Sequence, residues 1–160
     1  MKNCIIRPAE ERDVERLVSI ARNEWNAVYE GYREQLGEEL FAMAYPTPLD
    51  TKEAQIRRVA LGGCCYVTEI DGVVAGFVTY LYDENLKIGT ISNNAVSAEF
   101  RGKGIGPRQY EFIFDLFRAK GAIGARVTTG LDDAHAPARR AYEKAGFSAR
   151  LSSVTYYRKL

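Results

Sequence analysis

The stretch Arg101-Gly102-Lys103-Gly104-Ile105-Gly106 joins a β-rich run ending at Val96 to a helical pattern that begins near Gly104. Glycines let the backbone come close to a ligand. The N–H groups of a helix's first turn have no intrahelical partner, and the helix dipole adds about half a positive charge there, so such a junction holds phosphate well. Arg101 and Lys103 add mobile positive charge, and Pro107, which lacks an N–H, falls in the first turn, where none is needed. The alternative is a connection that is merely rich in glycine. Two other phosphate loops do not fit. A Walker loop has G-x-x-x-x-G-K-[ST], but Gly102-Lys103 is followed by Gly104 and lacks the earlier glycine; the dinucleotide fingerprint needs a glycine where Pro107 stands.

Outward from this junction, short β-rich runs alternate with helical patterns, which argues an α/β fold. Cys4 to Arg7 reads as a first strand, stopped by Pro8. Val14, Leu17, Val18, Ala21, Trp25 and Val28 recur at helical spacing, a second helical stretch covers Glu34 to Ala44, and a third runs from a Thr51 cap to about Ala60. Cys64 to Ile70 and Val73 to Tyr82 are strands joined by Asp71-Gly72, a dipeptide suited to a tight type I′ hairpin. Leu86 to Val96 continues the antiparallel set. Tyr110, Ile113, Phe114 and Phe117 mark one face of the helix that stops at Gly121; Ala125 to Thr129 is a strand; Ala134, Ala138, Ala141, Tyr142 and Ala145 stripe a helix closed by Gly146; Val154 to Tyr157 is a last strand. A strand, helix and strand in succession imply one parallel pair, so the sheet is expected to be mixed.

Composition narrows the function. The length of 160 residues fits one domain, residues 1–160, able to remove roughly 70% of its unfolded surface from water. Lys plus Arg total 22 against 21 for Asp plus Glu, so no positive excess attracts nucleic acid. An arginine and a proline interrupt the N-terminal stretch before a signal-peptide core forms, and no apolar run is long enough to span a membrane, so a cytoplasmic address is expected. Cys4, Cys64 and Cys65 form no Cys-x-x-Cys pair, and His135 is the only histidine, so no metal is expected and the thiols read as small reduced hydrophobes.

The glycine segment resembles the R/Q-x-x-G-x-G/A cofactor loop of the GNAT superfamily of acetyl-CoA-dependent N-acetyltransferases, with Arg101, Gly104 and Gly106 at the defining places. Further on, His135-Ala136-Pro137-Ala138-Arg139-Arg140-Ala141-Tyr142-Glu143-Lys144-Ala145-Gly146-Phe147 resembles the family's N-x-x-A-x-x-x-Y-E-K-x-G-F helix. Ile6-Arg7-Pro8-Ala9, with Asp13, is similar to its usual opening.

The resemblance implies a mixed, mostly antiparallel sheet with helices on both faces, and acetyl transfer from acetyl-CoA to a primary amine of a small molecule, peptide or protein by direct attack in a ternary complex. It implies that Ala95, Val96 and Ser97 meet the pantetheine arm, that Arg101, Gly102, Lys103, Gly104, Ile105 and Gly106 hold the pyrophosphate, and that His135, Ala138 and Tyr142 complete the cofactor site. The Val96 N–H is the implied donor to the thioester oxygen. Tyr142 is implied as the acid that protonates the departing thiolate; by periodicity alone it is one more member of the helix's apolar stripe.

Two departures qualify the carry-over. His135 stands where the family has Asn, and it is read as a cofactor contact, a helix-start residue or a group active in proton transfer. Many family members carry a carboxylate on the strand before the Ala-Val pair, but this chain has Thr90, Ser92, Asn93 and Asn94. An alkylammonium of pKa ~10.4 is only about 1 part in 2,500 neutral at pH 7, which a base must help to meet. Asn93 holding a water that relays the proton to Glu69 is one expectation. Trp25, Tyr29 and Tyr32, with Phe41 and Tyr45 beyond, either line an acceptor cleft, as the resemblance implies, or pack as core, which their spacing favours. A competing function is a non-catalytic module that keeps acetyl-CoA as a sensor ligand. A homodimer is left open.

Overall fold

The computed structural model describes residues 3–160. Five strands, β1 (Cys4–Pro8), β2 (Cys65–Ile70), β3 (Val73–Asp83), β4 (Ile88–Val96) and β5 (Gly124–Val127), lie in one sheet in chain order. The first four are antiparallel, and β4 and β5 are parallel. The Asp71-Gly72 hairpin forms as its residues dictate, with φ of 49° and 85° at the two central positions.

Helices cover both faces because the strands between them are apolar on both sides. Helix α1 (Val14–Ala44) and α2 (Pro48–Ala60) lie on one face, where Leu17, Ile20 and Ile56 pack on Val67, Phe77 and Ala95. Helix α3 (Ile105–Ala119) and α4 (Ala136–Lys144) take the other face, where Tyr110, Ile113, Phe117 and Tyr142 pack on Val78, Tyr80 and Ile91. Among the described residues no helix is long and apolar enough to cross a membrane.

Three sequence expectations are corrected. The two helical stretches of α1 do meet at a break, but it falls at Gly37, whose φ of 72° only glycine adopts cheaply, and not ahead of Glu34. Helix α2 starts at Pro48 after Thr47 rather than at a Thr51 cap, because proline fits the first helical turn. Val154 to Tyr157 is not a strand: residues 148–160 form no regular structure and are exposed. β-propensity alone did not order that tail, which touches the body where the Tyr157 and Tyr45 hydroxyls meet at 3.4 Å and Lys159 pairs with Glu39.

Strand β4 carries the feature that shapes the site. Its first half pairs with both neighbours, with Ile91 opposite Val127 as the last parallel partner. Beyond that point β5 ends while β4 continues along β3 to Val96, leaving a gap between β4 and the chain after Val127. The register with β3 shifts there, the segment Ile91 to Asn94 facing only Tyr80 to Val78. This is a bulge, and it reverses the alternation of the strand.

Candidate active site

The bulge determines which groups face the gap. Before it, Lys87 C=O accepts from Ile123 N–H at 2.8 Å, so the odd-numbered residues turn their backbone toward β5. After it, Ser97 N–H donates to Ala75 C=O at 2.9 Å, so Ala95 and Ser97 turn toward β3. Antiparallel alternation then leaves the N–H groups of Asn94 and Val96 on the unpaired edge. Side chains reverse as well. Ile91 before the bulge and Asn94 after it both face α3 and α4, whereas Asn93 and Ala95 face α1 and α2.

On the α3–α4 side, Tyr142 is only 7% exposed and its hydroxyl donates to Asn94 Oδ1 at 2.7 Å, while Asn94 Nδ2 donates to the Tyr110 hydroxyl at 2.9 Å. The Tyr142 and Tyr110 rings lie 5.5 Å apart. Burial, and then the neighbouring Tyr110, raise the Tyr142 hydroxyl well above the usual tyrosine range. It therefore holds its proton tightly. Asn94, which fixes the direction of that proton, escaped the sequence reading. Nothing in the pattern distinguishes an Asn on the sheet face from one at a bulge.

The loop follows directly. Gly102 and Gly104 have φ of 73° and 74°, and a Cβ built on Gly102, Gly104 or Gly106 meets no atom within 4 Å. Gly104 is the N-cap of α3 and brings no side chain to cap it, so the amides of the first turn stay uncapped at the helix mouth. Lys103 Nζ sits 4.8 Å from the Phe100 ring centre, and Arg101 pairs with Glu24 of α1. The residues fit a diphosphate: room without Cβ atoms, uncapped amides and exposed cations at one helix end.

His135 is stacked on Tyr32 with ring centres 6.2 Å apart and holds Asp132 through Nδ1 at 2.7 Å. Burial would raise the Asp132 carboxyl, but the hydrogen bond and charge of His135 outweigh it and leave it lowered. A Cβ on Gly130 would lie 2.4 Å from Asp132 Oδ2 and 2.5 Å from His135 Nδ1, so this pair leaves room for glycine only. Ala138 packs beside Tyr142 in the α3–α4 core. Of the aromatic residues of α1, Trp25 packs on the α1–α2 core, while Tyr29, Tyr32 and Tyr45 form a separate half-buried cluster with centroid separations of 5.5 to 6.1 Å. Trp25 thus packs as core, and the tyrosines stand apart from it.

The structure does not bring Glu69 to Asn93. Glu69 accepts from Arg7 Nε at 3.0 Å and Nη2 at 2.8 Å, and Arg7 also binds Asp13. It lies two strands away from Asn93 and further along β2 than Cys65, the residue level with it, a separation of roughly 16 Å by strand geometry. A single water cannot span that distance, so the relay is withdrawn. Asn93, 5% exposed, instead receives Lys52 Nζ on Oδ1 at 3.2 Å and is tied through its N–H to Thr79 Oγ1 at 2.8 Å.

Comparison with known proteins agrees with this layout. The profile of the acetyltransferase (GNAT) family matches residues 25–147. No curated protein matches the chain. Among solved structures, the chain is similar to PaiA N-acetyltransferase from Thermoplasma acidophilum in complex with coenzyme A, at 19% identity and TM-score 0.70 over 94% of this chain and 93% of that one. It is also similar to AAC(6')-Iy in complex with a bisubstrate analog, CoA-S-monomethyl-acetylneamine, at 15% identity and TM-score 0.66 over 99% of each chain. A ribosomal-protein-alanine N-acetyltransferase from Brucella melitensis biovar Abortus 2308 matches at 16% identity and TM-score 0.65 over 98% of this chain and 100% of that one. At these identities the likeness is one of fold.

Proposed function

The chain belongs to the acetyltransferase (GNAT) family, and from that premise we propose that it moves the acetyl group of acetyl-CoA to a primary amine of a small molecule or a peptide, by direct attack with both substrates bound. The observation that carries this reading is the continuity of the uncapped mouth of α3 with the open edge of β4, walled by Tyr142. Acetyl-CoA supplies the activated thioester. In this reading the first-turn amides, Arg101 and Lys103 hold its diphosphate; the edge of β4 at Ala95 to Ser97 orients the pantetheine arm, flanked by His135 and Ala138.

The N–H groups at Asn94 and Val96 face the gap, where one of them donates to the thioester oxygen as charge develops on it. A donor so placed is worth ~3 to 4 kcal/mol in the transition state. Tyr142 gives its proton to the sulfur as it departs. Tyr29 and Tyr32 border the acceptor entrance in this reading, and residues 1–160 act as one domain.

Titration calorimetry with acetyl-CoA, followed by release of free CoA thiol across a panel of amines, tests the proposal. Binding with turnover on at least one amine is expected. A second reading, an acetyl-CoA sensor, is favoured by one observation, the lack of a carboxylate from Thr90 to Asn94. Tight binding with no turnover on any amine would select it.

A further inference from the structure

Lys52 of α2 lies against the bulge on the face opposite Tyr142. Its Nζ donates to Asn93 Oδ1 at 3.2 Å and to Gln55 Oε1 at 2.7 Å, and sits 4.4 Å from the centre of the Trp25 ring. The carboxylates nearest in sequence, Asp50 and Glu53, turn to Arg22 of α1. From α1 it meets the neutral indole of Trp25, from β4 the neutral amide of Asn93, and from α2 the neutral amide of Gln55. Burial brings Lys52 down to about 8, with no carboxylate beside it to offset the desolvation, although the two amide oxygens and the Trp25 face favour the ammonium.

Its position matters as much as its surroundings. Thr90, Ser92 and Asn93 offer no titratable group, and Glu69 is engaged elsewhere. Lys52 is, among the described residues, the one titratable side chain hydrogen-bonded to the bulge of β4 on the α1–α2 face. The bulge also begins where β4 loses its β5 partner, the edge to which the transfer reading assigns the thioester. Resting on the transfer reading above, we infer that Lys52 is the general base, taking the proton of the acceptor's ammonium at the bulge of β4.

The step balances. Neutral Lys52 Nζ receives the ammonium proton, the freed amine nitrogen bonds to the acetyl carbon, and the carbon–sulfur bond breaks with its electron pair on sulfur. Tyr142 gives that sulfur its proton. The attacking nitrogen, still one proton richer than an amide, sheds that proton to water as the tetrahedral intermediate collapses; Tyr142 regains a proton from water and Lys52 releases its own, so one proton is freed overall.

The test is the pH profile of kcat/KM for the full chain, with acetyl-CoA and an amine that the panel shows to be a substrate. Wild-type activity should rise through a pH near 8, the limb carried by Lys52. Lys52→Met should lose that limb and fall in kcat by roughly 100-fold or more, with acetyl-CoA affinity unchanged by calorimetry. Lys52→Arg, permanently charged, should be equally inactive. Recovery of activity in Lys52→Arg would make the residue an anion-binding cation and overturn the assignment. A Lys52→Met profile with its limb intact would overturn it too. Acetylation of Lys52 itself, found by peptide mass mapping after incubation with acetyl-CoA alone, would make it an acceptor instead of a base. Wild-type protein that turns over no amine defeats the transfer reading and this assignment with it.

Discussion

The two sides of β4 are built from different materials. Toward α3 and α4, the surface proposed for the cofactor is largely backbone: uncapped amides at the mouth of α3, φ-positive glycines and a strand edge that β5 abandons. Toward α1 and α2, the surface proposed for an acceptor is side chain: Lys52, Asn93, Gln55 and Trp25 from three elements. Backbone chemistry is common to every residue, so its sites are written as gaps in the sequence, as glycine and proline. A side-chain site depends on what tertiary packing brings together.

This contrast breaks most sharply at Tyr142, a buried side chain on the largely backbone face. Tyr142→Phe should lower kcat by about 100-fold or more, the scale of a lost general acid, with acetyl-CoA affinity near wild type. Equal losses in both would make Tyr142 a packing residue. Steady-state kinetics beside calorimetry reads the split.

Gly106→Ala sharpens the comparison next. Gly106 has no positive φ and open space around its built Cβ, so alanine enters without strain and improves helix propensity by up to ~1 kcal/mol. The methyl group nevertheless fills the cradle. Acetyl-CoA binding should weaken about tenfold, or ~1.4 kcal/mol, while thermal unfolding moves up or not at all. Gly104→Val is a blunter probe, because φ of 74° adds backbone strain to the loss of space. Unchanged affinity in Gly106→Ala would remove the helix mouth from the phosphate site.

The smallest effect belongs to the acceptor side. The depressed Lys52 means that the folded state binds its proton less readily than the unfolded chain does. That penalty is fully present below about pH 8, shrinks as pH rises, and vanishes above the ordinary lysine range. Lys52→Met should therefore be more stable than wild type at pH 7, by under about 1 kcal/mol for a part-exposed group, and the gain should shrink toward pH 10. Denaturant melts at the two pH values measure it. A constant gain across that range would assign the stability to methionine packing.

Legibility followed the same division. The hairpin at Asp71-Gly72, the α3 junction and the α4 stripe were readable because local backbone geometry restricts which residues can stand there. The tail at Val154 to Tyr157 was misread because a β-rich composition forms a strand only where a partner edge receives it. The Asn93–Glu69 pairing failed for want of register. The β4 bulge, invisible in the letters Ser92-Asn93-Asn94, moves the α3–α4 face from odd-numbered to even-numbered residues, so that Asn94 turns to Tyr142 and Asn93 to Lys52.

What the sequence determined by itself was the order of the elements up to α4 and the glycine mouth of α3, since both follow from periodicity and from glycine and proline at fixed positions. What only the tertiary structure decided was the pairing of side chains across elements: Tyr142 with Asn94, Lys52 with Asn93, His135 with Tyr32. The physical reason is range. Backbone preference acts over a few neighbouring residues, whereas a hydrogen bond between α2 and β4 exists only after both have been packed on the same sheet face.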